Sequence, residues 1–179
     1  QIDSVINQEN ATQAYLDYLE SASDTQRYCN VLQNHIQQQN NKLFPLISQL
    51  EEASHNTLAN DYPVVRQRFQ SANAQLYFSL KKYEQKCPDT GQFKQPILYF
   101  FPDNAPCSDC TLQAHILDNT RDTCVHLIQI FAFPVEGGIE TIDLLVKDYN
   151  IVKTPSLVID DMVYPGIQSE QFLKQKLQC

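Results

Sequence analysis

Long apolar runs are missing from this chain. The longest, such as ILYFF at 97–101 and LVI at 157–159, are far too short to span a bilayer as a helix. Basic charge is scarce as well. Thirteen Lys and Arg face 21 Asp and Glu, leaving a net charge of -8, which argues against a nucleic-acid partner. Glycine occurs four times and not before Gly91, so no glycine-rich phosphate loop exists. Cysteine is also sparse, at six residues in 179. What remains is an acidic chain with 42% hydrophobic residues, enough for a real core. It starts at Gln1 rather than Met, so a processed or trimmed product is expected, with any targeting segment or membrane anchor lying outside the sequence. One glycosylation sequon, Asn10-Ala11-Thr12, is a weak match that matters only in a glycosylating host.

The hydrophobic period changes near Pro96. Residues 1–95 read as helical, polar and Gln/Asn-rich; residues 96–179 alternate short apolar runs with amphipathic stretches. The segment CPDTGQFKQP between them, with Pro88, Gly91 and Pro96, reads as a linker or tight turn. In the first region Asn10 or Thr12 is expected to cap a short helix holding Tyr15, Leu16 and Leu19, and Ser23 or Asp24 a longer one. The longer helix carries a heptad seam through Cys29, Leu32, Ile36, Gln39, Leu43, Leu46, Leu50 and Ala53, interrupted by Pro45, which should kink it or start a new segment. A second seam runs Val65, Phe69, Ala72, Leu76, Leu80, Tyr83, Cys87, behind a cap at Asn60 or Asp61 and Pro63 near the first helical position. Two antiparallel helices with a short loop follow. A fold-back near Leu58 sets Cys29 opposite Cys87 at the open end, where a disulfide clip would join them; the other reading is two buried thiols.

In the second region PILYFF at 96–101 fits a buried parallel strand. The loop PDNAP leads into CSDC and then TLQAHILDN, whose Leu112, Ile116 and Leu117 suggest one apolar face, so Cys107 and Cys110 fall at a helix start. CVHLIQIFAF reads as a second strand, opened by Cys124. VEGGIETIDLLVKDYN reads as a helix with Ile139, Ile142, Leu145, Val146 and Tyr149 on its core face. SLVID and MVYPG are short strands around the turn Asp160-Asp161, and QSEQFLKQKLQ closes the chain as a helix. The order is β-α-β-α-β-β-α. Unpaired N–H groups and the macrodipole at a helix start favour a thiolate there, which makes Cys107 the candidate nucleophile and Cys110 the resolving partner.

CxxC at a strand-to-helix turn, followed some 45 residues later by Thr154-Pro155 opening an apolar strand, resembles the thioredoxin superfamily over about residues 96–179. The fold class expected is therefore α/β, a thioredoxin-like domain at 96–179 preceded by an all-α antiparallel helical hairpin at 1–95. The resemblance implies that Pro155 is cis and that Thr154 and Pro155 present a backbone edge beside Cys107 for an extended substrate. In that fold the strand opened by Cys124 and the closing helix ending at Cys179 meet, which implies a second structural bridge; the other reading is a buried thiol and a frayed terminal one. The chain departs from the family in three places: Ser108-Asp109 lies between the cysteines, Pro106 replaces a tryptophan, and PILYFF lacks the strand acid that assists the resolving cysteine. Asp103 and Asp109 are the candidate substitutes.

Cysteines partitioning as 29–87, 107–110 and 124–179 imply an oxidising compartment outside the cytosol. The implied activity is thiol–disulfide exchange with protein substrates and a redox partner protein, without a cofactor. The helical region is then a substrate-binding, dimerising or membrane-proximal arm, or a solvated support. The alternative is a non-catalytic binding module in which Cys107–Cys110 is a permanent staple. A metal site is the third reading. It would need soft ligands that His35, His55, His115 and His126 do not visibly supply, and no metal ligands are assigned. Tyr77, Phe78 and Tyr83 read as packing, and Glu51-Glu52 as a solvated face.

Overall fold

The computed structural model describes residues 2–22, 24–55, 61–87, 93–103, 105–124 and 128–179. Ser23, Asn60, the turn at Leu58, the Pro88–Gly91 part of the linker and His126 lie outside them. Three helices come first: α1 at Ile2–Ser21, α2 at Thr25–His55 and α3 at Tyr62–Lys86. Helix α1 begins at Ile2, so Asn10 and Thr12 stand inside it rather than capping it. Over residues 10–21, Asn10, Gln13, Asp17 and Glu20 are exposed while Leu16 and Leu19 are buried, and no proline or glycine breaks the run. Asp24 caps α2 by accepting the Arg27 N–H at 3.1 Å. Helix α2 continues through Pro45, which removes one backbone donor without ending it. Asp61 is the N-cap residue of α3, with Pro at the start of the helix, although its side chain makes no cap bond.

The α2 seam is buried at Cys29, Leu32, Ile36 and Leu43, and is only half-buried from Leu46 onward. Helix α3 buries more than its seam. Gln70, Asn73, Ala74 and Tyr77 are covered as well as Leu76, Leu80 and Tyr83, because α3 packs against α2 on one side and the sheet on another. The Tyr77 ring meets Phe131 edge-on at 5.6 Å, and Tyr83 meets Phe93 at 4.8 Å.

The remaining elements are β1 Gln95–Pro102, α4 Ser108–Thr123, β2 Ile128–Val135, α5 Glu140–Asp148, β3 Ser156–Ile159, β4 Met162–Pro165 and α6 Glu170–Leu177. They form a thioredoxin-like β-α-β-α-β-β-α unit with strand order β2-β1-β3-β4. Strands β1 and β2 are parallel, with Ile97 beside Ile130 and Tyr99 beside Ala132; β3 runs antiparallel to β1, with Phe100 opposite Ser156. The turn between β3 and β4 holds Asp160 and Asp161 at φ of 50° and 60°, the positive values that a tight hairpin requires at both central residues.

Side chains alternate across the sheet. Ile97, Tyr99, Leu157 and Ile159 pack under α4 and α6, with Leu117 and Leu173. Leu98, Phe100, Phe131 and Phe133 face the other way, toward α5 and the helical hairpin, in one continuous core that reaches Leu16 and Leu19 of α1. Two expectations are corrected here. Cys124 does not open β2: it is the C-cap of α4, donating its N–H to the Thr120 carbonyl at 2.8 Å, and β2 starts at Ile128. The buried face of α4 is Cys110, Gln113, Leu117 and Thr120, whereas Leu112 is 50% exposed. Two polar side chains on that face are bonded through oxygen: Gln113 Oε1 accepts the Gln168 N–H at 2.6 Å, and Thr120 Oγ1 donates to the Ile116 carbonyl at 2.8 Å.

A polar cluster pins α3 to the second half of the chain. The Tyr149 hydroxyl donates to Asp161 at 2.8 Å and lies 3.1 Å from that of Tyr77, while Lys81 Nζ donates to Asp161 at 3.1 Å. Burial would raise the Asp161 pKa, but the bonds from Tyr149 and Lys81 outweigh it and hold the carboxyl below the usual range. A carboxyl depressed in the folded state stabilises it above the unfolded-state pKa. That contribution is lost as pH falls through the folded value. Asp161→Asn keeps a residue suited to positive φ but removes the charge. It should flatten the acid limb of a stability–pH curve and cost under about 1 kcal/mol near neutrality, since the side chain is 56% exposed. Chemical denaturation of both proteins between pH 2 and 7 checks this.

Candidate dithiol site

The carboxyl end of β1 delivers the chain to CSDC. Cys107 is the N-cap of α4, in extended conformation, and its sulfur accepts the Cys110 N–H at 3.1 Å. The Thr111 N–H closes onto the Cys107 carbonyl at 3.1 Å. Cys107 and Cys110 form a disulfide with Cα atoms 5.2 Å apart. The two sulfurs differ in access. Cys107 is half-buried, and Cys110 is 6% exposed under the sheet. Any attack from solvent therefore falls on Cys107, and a thiolate released there would sit against the amino end of α4.

The Thr154–Pro155 peptide bond is cis. Continuing the β1–β3 register by one residue sets Pro155 opposite Phe101, at the same end of the sheet as CSDC. Pro155 has no N–H, and its carbonyl accepts the Gly166 N–H at 2.8 Å. Any backbone pairing to an incoming segment therefore falls to Thr154, which is half-buried.

Neither Asp103 nor Asp109 is a free buried carboxylate. Asp103, just after β1, is engaged by both guanidinium nitrogens of Arg66 on α3, and Asp109 is exposed on the first turn of α4. Tyr99 is what β1 sends toward the dithiol. Its hydroxyl donates to the Cys110 carbonyl at 2.7 Å inside the buried cluster, and burial pushes its pKa up to about 12. Sequence reasoning missed this residue and Arg66. The one signal for Tyr99 was a hydroxyl in an otherwise apolar strand, whose partner had to be found indoors.

Tyr99→Phe should cost about 1 kcal/mol in denaturant unfolding at neutral pH, the usual net worth of a hydrogen bond. A phenol whose pKa is raised by folding stabilises below its unfolded value. That stability is lost as pH rises from about 10 through about 12. The Phe variant should lack this part of the alkaline loss.

The other four cysteines pair away from the site. Cys29–Cys87 joins α2 to the end of α3, with Cα atoms 5.7 Å apart; Cys124–Cys179 joins the end of α4 to the residue after α6, at 5.6 Å. The last pairing links two helix ends rather than a strand and a helix. Three disulfides suggest an oxidising environment. Among the described residues no helix is long and apolar enough to cross a membrane, and no three His, Cys, Asp or Glu side chains gather as metal ligands. His115 and His55 are exposed, and His35 lies on α2. No protein-family model matches the chain, and no curated protein sequence matches it either.

Proposed function

We propose that this chain is a thiol–disulfide oxidoreductase acting on protein substrates outside the cytosol. The observation that carries the reading is an asymmetric CxxC disulfide, Cys107 accessible and Cys110 buried, at a helix start and at the same end of the sheet as a cis proline. In the oxidising direction a substrate thiolate attacks Cys107 Sγ. The Cys107–Cys110 bond breaks and Cys110 leaves as thiolate. A second substrate thiolate then attacks the substrate sulfur of the mixed disulfide, releasing Cys107 thiolate and a substrate disulfide. Two electrons pass to the protein, and a redox partner protein removes them. Reduction of a substrate disulfide runs the same steps backward, with Cys107 attacking and Cys110 resolving. The pair's potential decides the direction.

The protein's place in this reading is periplasmic, extracellular or at a cell surface, tethered by an anchor outside this sequence or free. Insulin reduction and refolding of reduced ribonuclease test it, with Cys107→Ala as the control that must be inactive. A second reading is a binding module with a permanent Cys107–Cys110 staple. It is favoured by the state of the two candidate acids: Asp103 is held by Arg66 and Asp109 is exposed.

A further inference from the structure

A groove of about 300 Å³ lies between the helical hairpin and strand β2. Its apolar wall is Leu43, Phe44 and Ile47 of α2 with Phe69 of α3 and Phe101 of β1. Its polar groups are all amides: Asn40, Gln70, Asn73 and Gln129. No charged side chain lines it among the described residues, although the chain carries 13 basic and 21 acidic ones. A charged ligand would find no counter-ion here.

Two features of the groove lack their complements. Gln70 is 6% exposed, yet its Oε1 has no hydrogen-bond partner among the described residues, an expensive condition for a buried acceptor. Among the described residues strand β2 is at the edge of the sheet, so one row of its backbone N–H and C=O groups has no strand beside it. Gln129 of β2 donates to Asn40 of α2 at 3.3 Å, tying the two walls of the groove together. One kind of occupant supplies both complements: an extended backbone, with N–H groups for Gln70 and a ladder partner for β2, and apolar side chains for the phenylalanines.

The groove also connects to the dithiol. Phe101 contacts Tyr99 with ring centroids 5.6 Å apart, and Tyr99 holds the Cys110 carbonyl. On α3, Arg66, Gln70 and Asn73 form a stripe at helical spacing. Its first member grips Asp103 in the loop leading to CSDC and its last two line the groove, a span of about 10 Å along the helix.

We infer that this groove binds an extended, uncharged, apolar polypeptide segment, added as a strand to β2. Calling that segment part of a substrate rests on the oxidoreductase reading above; binding itself does not. The probe is a fluorescein-labelled 12-residue peptide of alternating Ile and Thr, without cysteine, titrated by anisotropy into the full chain. Wild type should bind it and show backbone amide shifts in β2. Phe44→Glu/Ile47→Glu should weaken binding at least tenfold; both positions are exposed, at 69% and 39%, so the fold tolerates the change. Leu144→Glu, on exposed α5 surface, should bind as wild type. Replacing the peptide isoleucines with aspartate should also cost at least tenfold.

Wild-type levels of binding by the double variant, or no binding by wild type, would overturn the proposal. A dimer that the double variant abolishes would also overturn it, by giving the groove to a second copy of the chain. Peptide binding without disulfide exchange would sink the oxidoreductase reading alone; exchange without binding would sink the groove alone.

Discussion

Cys107→Ser should reduce disulfide exchange with protein substrates to the uncatalysed rate, while Cys110→Ser should trap substrate as a mixed disulfide. The contrast follows from access. Cys107 is the half-exposed sulfur, capping α4 and accepting the Cys110 N–H at 3.1 Å, whereas Cys110 is 6% exposed beneath Tyr99. An incoming thiolate meets Cys107 first, and a serine hydroxyl offers no sulfur to attack. When the Cys107 thiolate attacks a substrate disulfide, release of the mixed disulfide that forms needs Cys110. With serine there, the adduct persists and runs as a band that thiol reductant removes. Non-reducing gels with disulfide-bonded insulin as substrate show the difference. If Cys110→Ser gave no adduct while Cys107→Ser did, the two roles would be reversed; equal turnover in both variants would remove the dithiol from the chemistry.

The second large effect concerns a bridge with no part in exchange. Removing the hairpin clip with Cys29→Ala/Cys87→Ala should destabilise the fold by about 4 kcal/mol, since the bridge spans a sequence separation of 58 and its loss frees the unfolded chain. For a protein of this size the melting temperature should drop roughly 10 °C. Cys29 and Cys87 are only 8% and 4% exposed, in the same core cluster as Leu80, Tyr83 and the α2 seam, so a small cavity term adds to the loss. Below the new melting point the variant should still exchange disulfides, because Cys107–Cys110 is untouched. A melting temperature within a degree or two of wild type would mean that packing alone holds the hairpin closed.

These two bridges show which parts of the molecule could be read from its residues. Cys29–Cys87 was legible because helical spacing is regular: two seams of threes and fours around a turn bring their outer ends together. The dithiol and Thr154-Pro155 were legible because short motifs carry their own local structure. What could not be read is where polar residues are buried by long-range contact. The buried face of α4 includes Gln113 and Thr120, and α3 buries Gln70 and Asn73, so both helices look more polar toward the core than a hydrophobic pattern allows. Gln113 depends on a neighbour far away in sequence, the Gln168 N–H. The same blindness misplaced Cys124. The stretch after it reads as strand by composition, but α4 keeps its hydrogen-bond ladder through Thr123 and Cys124 closes it. Arg66 and Tyr99 were hidden for the same reason, since Asp103 and the Cys110 carbonyl come to them only through the fold.

The central claim is that Cys107–Cys110 cycles while the other two bridges stay closed. Equilibrating the intact protein against glutathione or dithiothreitol buffers, with alkylation and disulfide mapping of each sample, measures it directly. A cycling pair should titrate between about -270 and -120 mV, the range of catalytic dithiols, with Cys29–Cys87 and Cys124–Cys179 still oxidised at its midpoint. A Cys107–Cys110 potential below about -300 mV, where structural disulfides lie, would contradict the account and make the pair a staple.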